Sequence, residues 1–218
     1  MSLKIGILTT ETTHHTFFVR ELQSKFNEIT VFCETDQSFQ SFETSHPFEE
    51  IREDFEKNKW FGGKELKLED VANVKKFDSL NDDKAVSELK NNKYDFLIVF
   101  GTGYLRKPVI QVNPFRIFNF HGGDPERYRG LDTHLWSIYH NDFTSLVTTL
   151  HCLDEDLDTG DIIYRRNIPL NKIFHLHELR SFNTEVCLDL FIDLYDMILS
   201  DGKVSSTPQK KKRKILLL

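Results

Sequence analysis

The stretch Lys4-Ile5-Gly6-Ile7-Leu8-Thr9 is a short apolar run closed by polar Thr10-Glu11-Thr12-Thr13, and it reads as a strand. His15–Phe26 then sets Phe17, Phe18, Leu22 and Phe26 on one helical face, and Glu28–Cys33 is a second strand rich in β-branched and aromatic residues. Strand, helix and strand in that order imply two parallel strands joined by a right-handed crossover. Tyr94–Phe100 is apolar throughout, as suits a strand buried on both faces. The chain is therefore expected to be α/β, with a Rossmann-like, mostly parallel twisted sheet and helices on both faces.

The same periodicities extend the pattern. Helices are expected over Pro47–Lys59 (Phe48, Ile51 and Phe55 inward, Gly62-Gly63 as the stop), Ala85–Asn91, Lys107–Gln111 and Thr133–Asn141. Further strands fall at Arg116–His121, Leu146–Leu153 and Ile162–Ile168. His177–Leu199 carries Cys187, Leu190, Phe191, Leu194, Met197 and Ile198 at helical spacing, a C-terminal helix packed on the sheet. Residues 1–200 read as one domain and 201–218 as a short basic tail or closing segment.

Apolar residues make up 39% of the 218 and charged ones 28%, enough to bury a core and stay soluble. Lys210, Lys211, Lys212, Arg213 and Lys214 are adjacent, so the net charge of −6 becomes −11 once these five are set aside. An acidic body repels a phosphate backbone, which argues against nucleic acid as a partner. Cys33, Cys152 and Cys187 form no CxxC pair and fit a reducing compartment better than a disulfide framework. No stretch approaches the ~20 apolar residues of a membrane span. The first residues run straight into a strand, and a cytoplasmic location is expected. The aromatic patch around Phe39, Phe42, Phe48, Phe55 and Trp60 reads as cover for the sheet edge or as a homodimer contact.

Chemistry concentrates in four segments. In Phe118-Asn119-Phe120-His121-Gly122-Gly123, strand alternation points Asn119 and His121 to one side and both Phe rings to the other. An amide beside an imidazole can donate to an oxyanion while the ring moves a proton, and the glycines admit a ligand close to the backbone. Leu153-Asp154-Glu155-Asp156-Leu157-Asp158-Thr159-Gly160-Asp161 is either a solvated acidic turn or the source of a carboxylate held against a histidine. Tyr128-Arg129-Gly130-Leu131-Asp132-Thr133-His134 ends a loop and opens a helix, with Asp132 or Thr133 as cap and Arg129 placed for an anion. Gly101-Thr102-Gly103-Tyr104-Leu105-Arg106 starts like a dinucleotide fingerprint but has Arg106 where the last glycine belongs, which excludes that reading. His175 and His177 stand two apart with no further ligand evident, so capping or surface roles are expected rather than a metal site.

Taken in order, these segments resemble the formyltransferases that use N10-formyltetrahydrofolate, over about Asp95 to Pro169. The resemblance implies a catalytic trio of Asn119, His121 and Asp158. In it Asn119 and a protonated His121 stabilise the tetrahedral oxyanion, while Asp158 keeps the imidazole charged and helps remove the amine proton. It also implies a folate co-substrate whose pterin lies between Tyr104, Leu105 and Arg106 on one side and Leu153 and Asp154 on the other.

Gly122-Gly123-Asp124-Pro125, followed by Tyr128-Arg129-Gly130-Leu131-Asp132-Thr133-His134-Leu135-Trp136, is most similar to the bacterial nucleotide-sugar N-formyltransferases. These act on amino-dideoxyhexoses linked to dTDP or GDP, on the way to O-antigen of lipopolysaccharide. Gly122, Arg129, Asp132, Thr133 and His134 are the residues expected at the acceptor. The glycinamide ribonucleotide enzymes have a Gly/Ser/Asn-rich phosphate loop where this chain has Thr9–His15, and Glu11 there would oppose a phosphate. A formyltetrahydrofolate hydrolase and a non-catalytic folate or nucleotide-sugar binder are the alternatives.

Overall fold

The computed structural model describes residues 2–36, 48–170 and 175–210. Strand β1 (Ile5–Thr10) is buried along its whole length because it pairs on both sides, with β2 (Ile29–Glu34) and with β4 (Phe96–Phe100), both parallel. A short β3 (Val74–Phe77) extends the parallel set beyond β2, and β5 (Ile117–His121) extends it beyond β4. Two antiparallel strands, β6 (Val147–Cys152) and β7 (Ile162–Asn167), complete a seven-stranded sheet in the order β3-β2-β1-β4-β5-β6-β7.

Alternation along the strands divides the core in two. Ile5, Ile7, Phe96, Ile98, Phe118 and Phe120 meet helix α1 (Thr13–Gln23) and the C-terminal helix, which spans Leu179–Asp201. Leu8, Phe32, Leu97, Val99 and Ile117 meet the opposite helical layer. Phe18 sits among the rings of Phe100, Phe120 and Phe191, at centroid distances of 5.0, 5.6 and 6.1 Å. Truncating such a ring to Ala costs about 3–5 kcal/mol in a packed core. Thr12 caps α1 by accepting the His15 N–H, the usual work of a threonine at that position.

Three elements depart from expectation. Helix α2 (Glu49–Phe61) ends at left-handed Gly62, but Ile51 faces solvent and the side chain turned fully inward is Glu56. The helix meets Arg180, whose guanidinium forks onto Glu56 at 2.7 and 2.6 Å. Charge pairing therefore overrides the apolar pattern there. The four-residue α3 (Leu68–Val71) and β3 have no counterpart among the elements expected from periodicity. Val74-Lys75-Lys76-Phe77 is a half-exposed edge, and its lysines discourage pairing with another sheet.

The remaining helices are α4 (Asp83–Asn92), α5 (Lys107–Ile110), α6 (Thr133–Tyr139) and α7 (Leu179–Asp201), with a one-turn 3-10 segment before α7 at Leu176–Glu178. The two tryptophans sit apart. Trp60 stacks on Phe17 at 4.1 Å, whereas Trp136 is half-buried beside His140 at 6.0 Å. The segment after α7 returns along β7, where Thr207 and Ile162 exchange two backbone hydrogen bonds of 2.8 Å. Phe39, Phe42, Pro47 and the residues from Lys211 onward lie outside the described residues. Among those described, no helix is long and apolar enough to cross a membrane.

Candidate active site

β5 runs parallel to β4, so its last residues arrive at the end of the sheet where ligands bind in open α/β folds. Asn119 and His121 point to the same side there, and Phe118 and Phe120 are buried on the other. β6 returns antiparallel and sets His151 directly opposite Asn119. The loop from β6 to β7 then climbs back and delivers Asp158. Two tight points hold it: Asp158 has a left-handed backbone (φ 51°), and a Cβ on Gly160 would lie 1.7 Å from the Cys152 carbonyl oxygen.

These groups meet. Asp158 Oδ2 accepts the Gly130 N–H at 2.8 Å and lies 3.4 Å from His121 Nδ1. Asn119 Nδ2 lies 3.2 Å from His151 Nε2 and 3.5 Å from Asp158 Oδ1. His121 Nε2 is 2.8 Å from the Tyr128 carbonyl, which can only accept, so Nε2 is assigned the hydrogen and Nδ1 the lone pair beside Asp158. The Tyr128-Arg129-Gly130 motif thus serves the site through main-chain atoms, a carbonyl for the imidazole and an N–H for the carboxylate.

Burial opposes charge on both partners, with different outcomes. For Asp158 it raises the pKa, but positive charge on the His121 ring, then on His151, and the Gly130 N–H outweigh it, so that against the protonated rings the carboxyl is held at about 2. For His121 burial dominates; Asp158 offsets it only in part, and the pKa stays below the ordinary imidazole value. The lowered value favours the neutral ring at rest. The ring has a carboxylate in place to stabilise the imidazolium once a proton arrives.

A cavity of about 820 Å³ opens over this group. All the residues expected at the site line it except Arg106 and Arg129. Arg106 donates its backbone N–H to Asn81 instead, which also binds the Tyr104 carbonyl. Glu34, fully buried, accepts from Gly103 N, Ser79 and Leu80 N, and so anchors the same loop. The Tyr104 hydroxyl donates to the Glu155 carbonyl, bridging the two loops. Arg129 is turned away from the cavity onto the Pro125 carbonyl and Gln209.

Gly122 packs under His134, and the Thr133 hydroxyl binds the Gly122 carbonyl. Asp132 occupies the cap position of α6 without making a capping bond. His14, His15, Arg52 and Arg180 also line the cavity. Neither Arg52 nor the role of His151 was marked by any sequence motif. The alternation of β6 indicates only that His151 and Cys152 face opposite ways.

The family model described as formyl transferase matches residues 9–181. The chain belongs to the formyl transferase family. The chain is 26% identical over 144 residues to the methionyl-tRNA formyltransferase of Thermodesulfovibrio yellowstonii, an alignment covering 62% of this chain and 46% of that protein. It thus spans under half of that relative's length.

In fold it is similar to the phosphoribosylglycinamide formyltransferase of Bacillus halodurans (TM-score 0.64, 16% identity, covering 92% of this chain and 97% of that one). It is also similar to the formyltransferase PseJ of Anoxybacillus kamchatkensis, solved with UDP-4,6-dideoxy-4-formamido-L-AltNAc and tetrahydrofolate (TM-score 0.60, 20% identity, covering 98% and 85%).

Proposed function

We propose that this formyl transferase moves the formyl group of N10-formyltetrahydrofolate to the primary amine of a nucleotide-linked amino-dideoxyhexose, carried on dTDP or GDP. The convergence of Asn119, His121 and Asp158 under one cavity carries the reading. The amine nitrogen attacks the formyl carbon, forming the new C–N bond and placing charge on the formyl oxygen. Asn119 Nδ2 lies near both partners only over 3.2 and 3.5 Å, and the oxyanion takes over one of its hydrogens. His121 accepts the amine proton at Nδ1, is held as imidazolium between Asp158 and the Tyr128 carbonyl, and returns the proton to folate N10 as the C–N10 bond breaks.

The slot between Tyr104-Leu105 and Leu153-Asp154 fits a pterin: Val99, Leu105 and Leu153 give it apolar walls, and Asp154 offers a carboxylate to ring donors.

The glycinamide ribonucleotide acceptor is the second reading, and the start of α1 disfavours it. Thr12 already caps the helix, and His14 and His15, both driven neutral chiefly by burial, stand where a glycine-rich nest would hold phosphate. The deciding assay incubates the protein with N10-formyltetrahydrofolate and dTDP-, GDP- or UDP-linked amino-dideoxyhexoses, or glycinamide ribonucleotide. Tetrahydrofolate release only with an amino sugar is expected. Release with the ribonucleotide alone establishes the second reading, release without any amine a hydrolase, and no release a binding protein.

A further inference from the structure

We infer that Gln209, in the segment that follows α7, is a positioning residue for the Asp158 carboxylate; the inference rests on the reading of Asp158 given above. Gln209 lies beyond the residues that match the family. Its Nε2 donates to the carbonyls of Asp158 at 2.9 Å and Gly160 at 2.8 Å, using both hydrogens of the amide. Its Oε1 accepts from Arg129 Nη2 at 3.0 Å, and Arg129 is bound in turn to the Pro125 carbonyl at 2.9 Å. One side chain therefore grips the backbone of the carboxylate and the residue next to Gly130, whose N–H the carboxylate accepts.

The rest of the segment is built around that contact. Residues Ser205–Pro208 and Lys210 are exposed and Gln209 alone among them is half-buried. The backbone pairing of Thr207 with Ile162 and the 2.5 Å bond from Lys210 N to Glu126 flank it on both sides. The left-handed turn at Asp158 and the closeness of Gly160 to Cys152 leave two carbonyls that need donors, and glutamine supplies both from one nitrogen. Without them the turn can relax, and Asp158 Oδ2 drifts from His121.

The test reads the His121 imidazole by NMR titration in the free protein. Asp158, His151, Asp124 and His134 are the titratable groups whose charge bears on it. Gln209→Ala and Gln209→Met are both made. The second keeps most of the side-chain volume and adds no charge, but loses both N–H donors. In each, His121 should titrate lower by about half a pH unit or more, since a more distant carboxylate stabilises the imidazolium less. Either folded variant suffices. A His121 titration unchanged in Gln209→Met, whatever happens to melting temperature, would overturn the inference. Asp158→Asn, assayed alongside for formyl transfer, separates the two levels: full activity there sinks the catalytic reading of Asp158 while the titration still reports on Gln209.

Discussion

The Nδ2 of Asn119 lies 3.2 Å from Nε2 of His151, whose Nδ1 stands 2.8 Å from the Cys152 carbonyl. The carbonyl fixes the hydrogen on Nδ1, leaving Nε2 to accept from Asn119 and so to decide which end of the amide faces the reacting centre. His151→Leu should lower kcat by about tenfold to a hundredfold, less than the ~100–1000-fold of deleting an oxyanion donor. His151→Gln, which keeps an acceptor, should retain most of the rate. Equal losses in steady-state assays of the two variants would count against this orienting role.

The trio itself gives the sharpest prediction. Asn119→Ala, His121→Ala and Asp158→Ala should each reduce turnover by about two to four orders of magnitude. Near-native turnover in the His121 variant would reject the proton-transfer role.

Acid should unfold the protein through its histidines. Burial lowers His15 to about 3 and His134 to about 4, each partly offset by a backbone hydrogen bond. Below the unfolded value near 6.5 the unfolded chain binds more protons than the folded one, so stability falls as pH falls. Each ring contributes a slope of up to about 1.4 kcal/mol per pH unit between that value and its folded pKa. Asp158, at about 2, adds its own loss only below the ordinary carboxyl range. Urea midpoints should therefore drop steeply from pH 6.5 to 4, and a flat profile there would contradict the burial of the two rings. The acid limb of kcat/KM should likewise lie below pH 6.5, because a lowered His121 pKa keeps the base neutral further into acid.

Gly160 is the most constrained position in the site loop. A methyl group 1.7 Å from the Cys152 carbonyl must displace backbone, so Gly160→Ala should cost about 2–4 kcal/mol and shift Asp158. Calorimetry combined with turnover measurement checks both effects, and a variant as stable and active as the parent would show that the loop tolerates a different path.

Much of the sheet was legible because its signals are local. The unbroken apolar run at Phe96–Phe100 and the alternation in β5 and β6 gave strand identity, face and the pairing of Asn119 with His121. What escaped depends on contacts between distant segments. Glu56 looks like an outward helix residue until Arg180, far along the chain, turns it inward. Arg129 looks like an anion receptor until Gln209 and the Pro125 carbonyl claim its guanidinium. β3 is too short for periodicity to register, and the charge of His121 depends on a burial that no motif encodes.

Two tryptophans in so phenylalanine-rich a chain give it an optical handle. Trp60 lies flat on Phe17 within the helical layer, while Trp136 rides on the helix whose first turn lines the cavity. Replacing Trp60 with Phe would leave Trp136 as the single tryptophan, so that occupancy of the cavity could be followed by its emission without labels or a coupled assay.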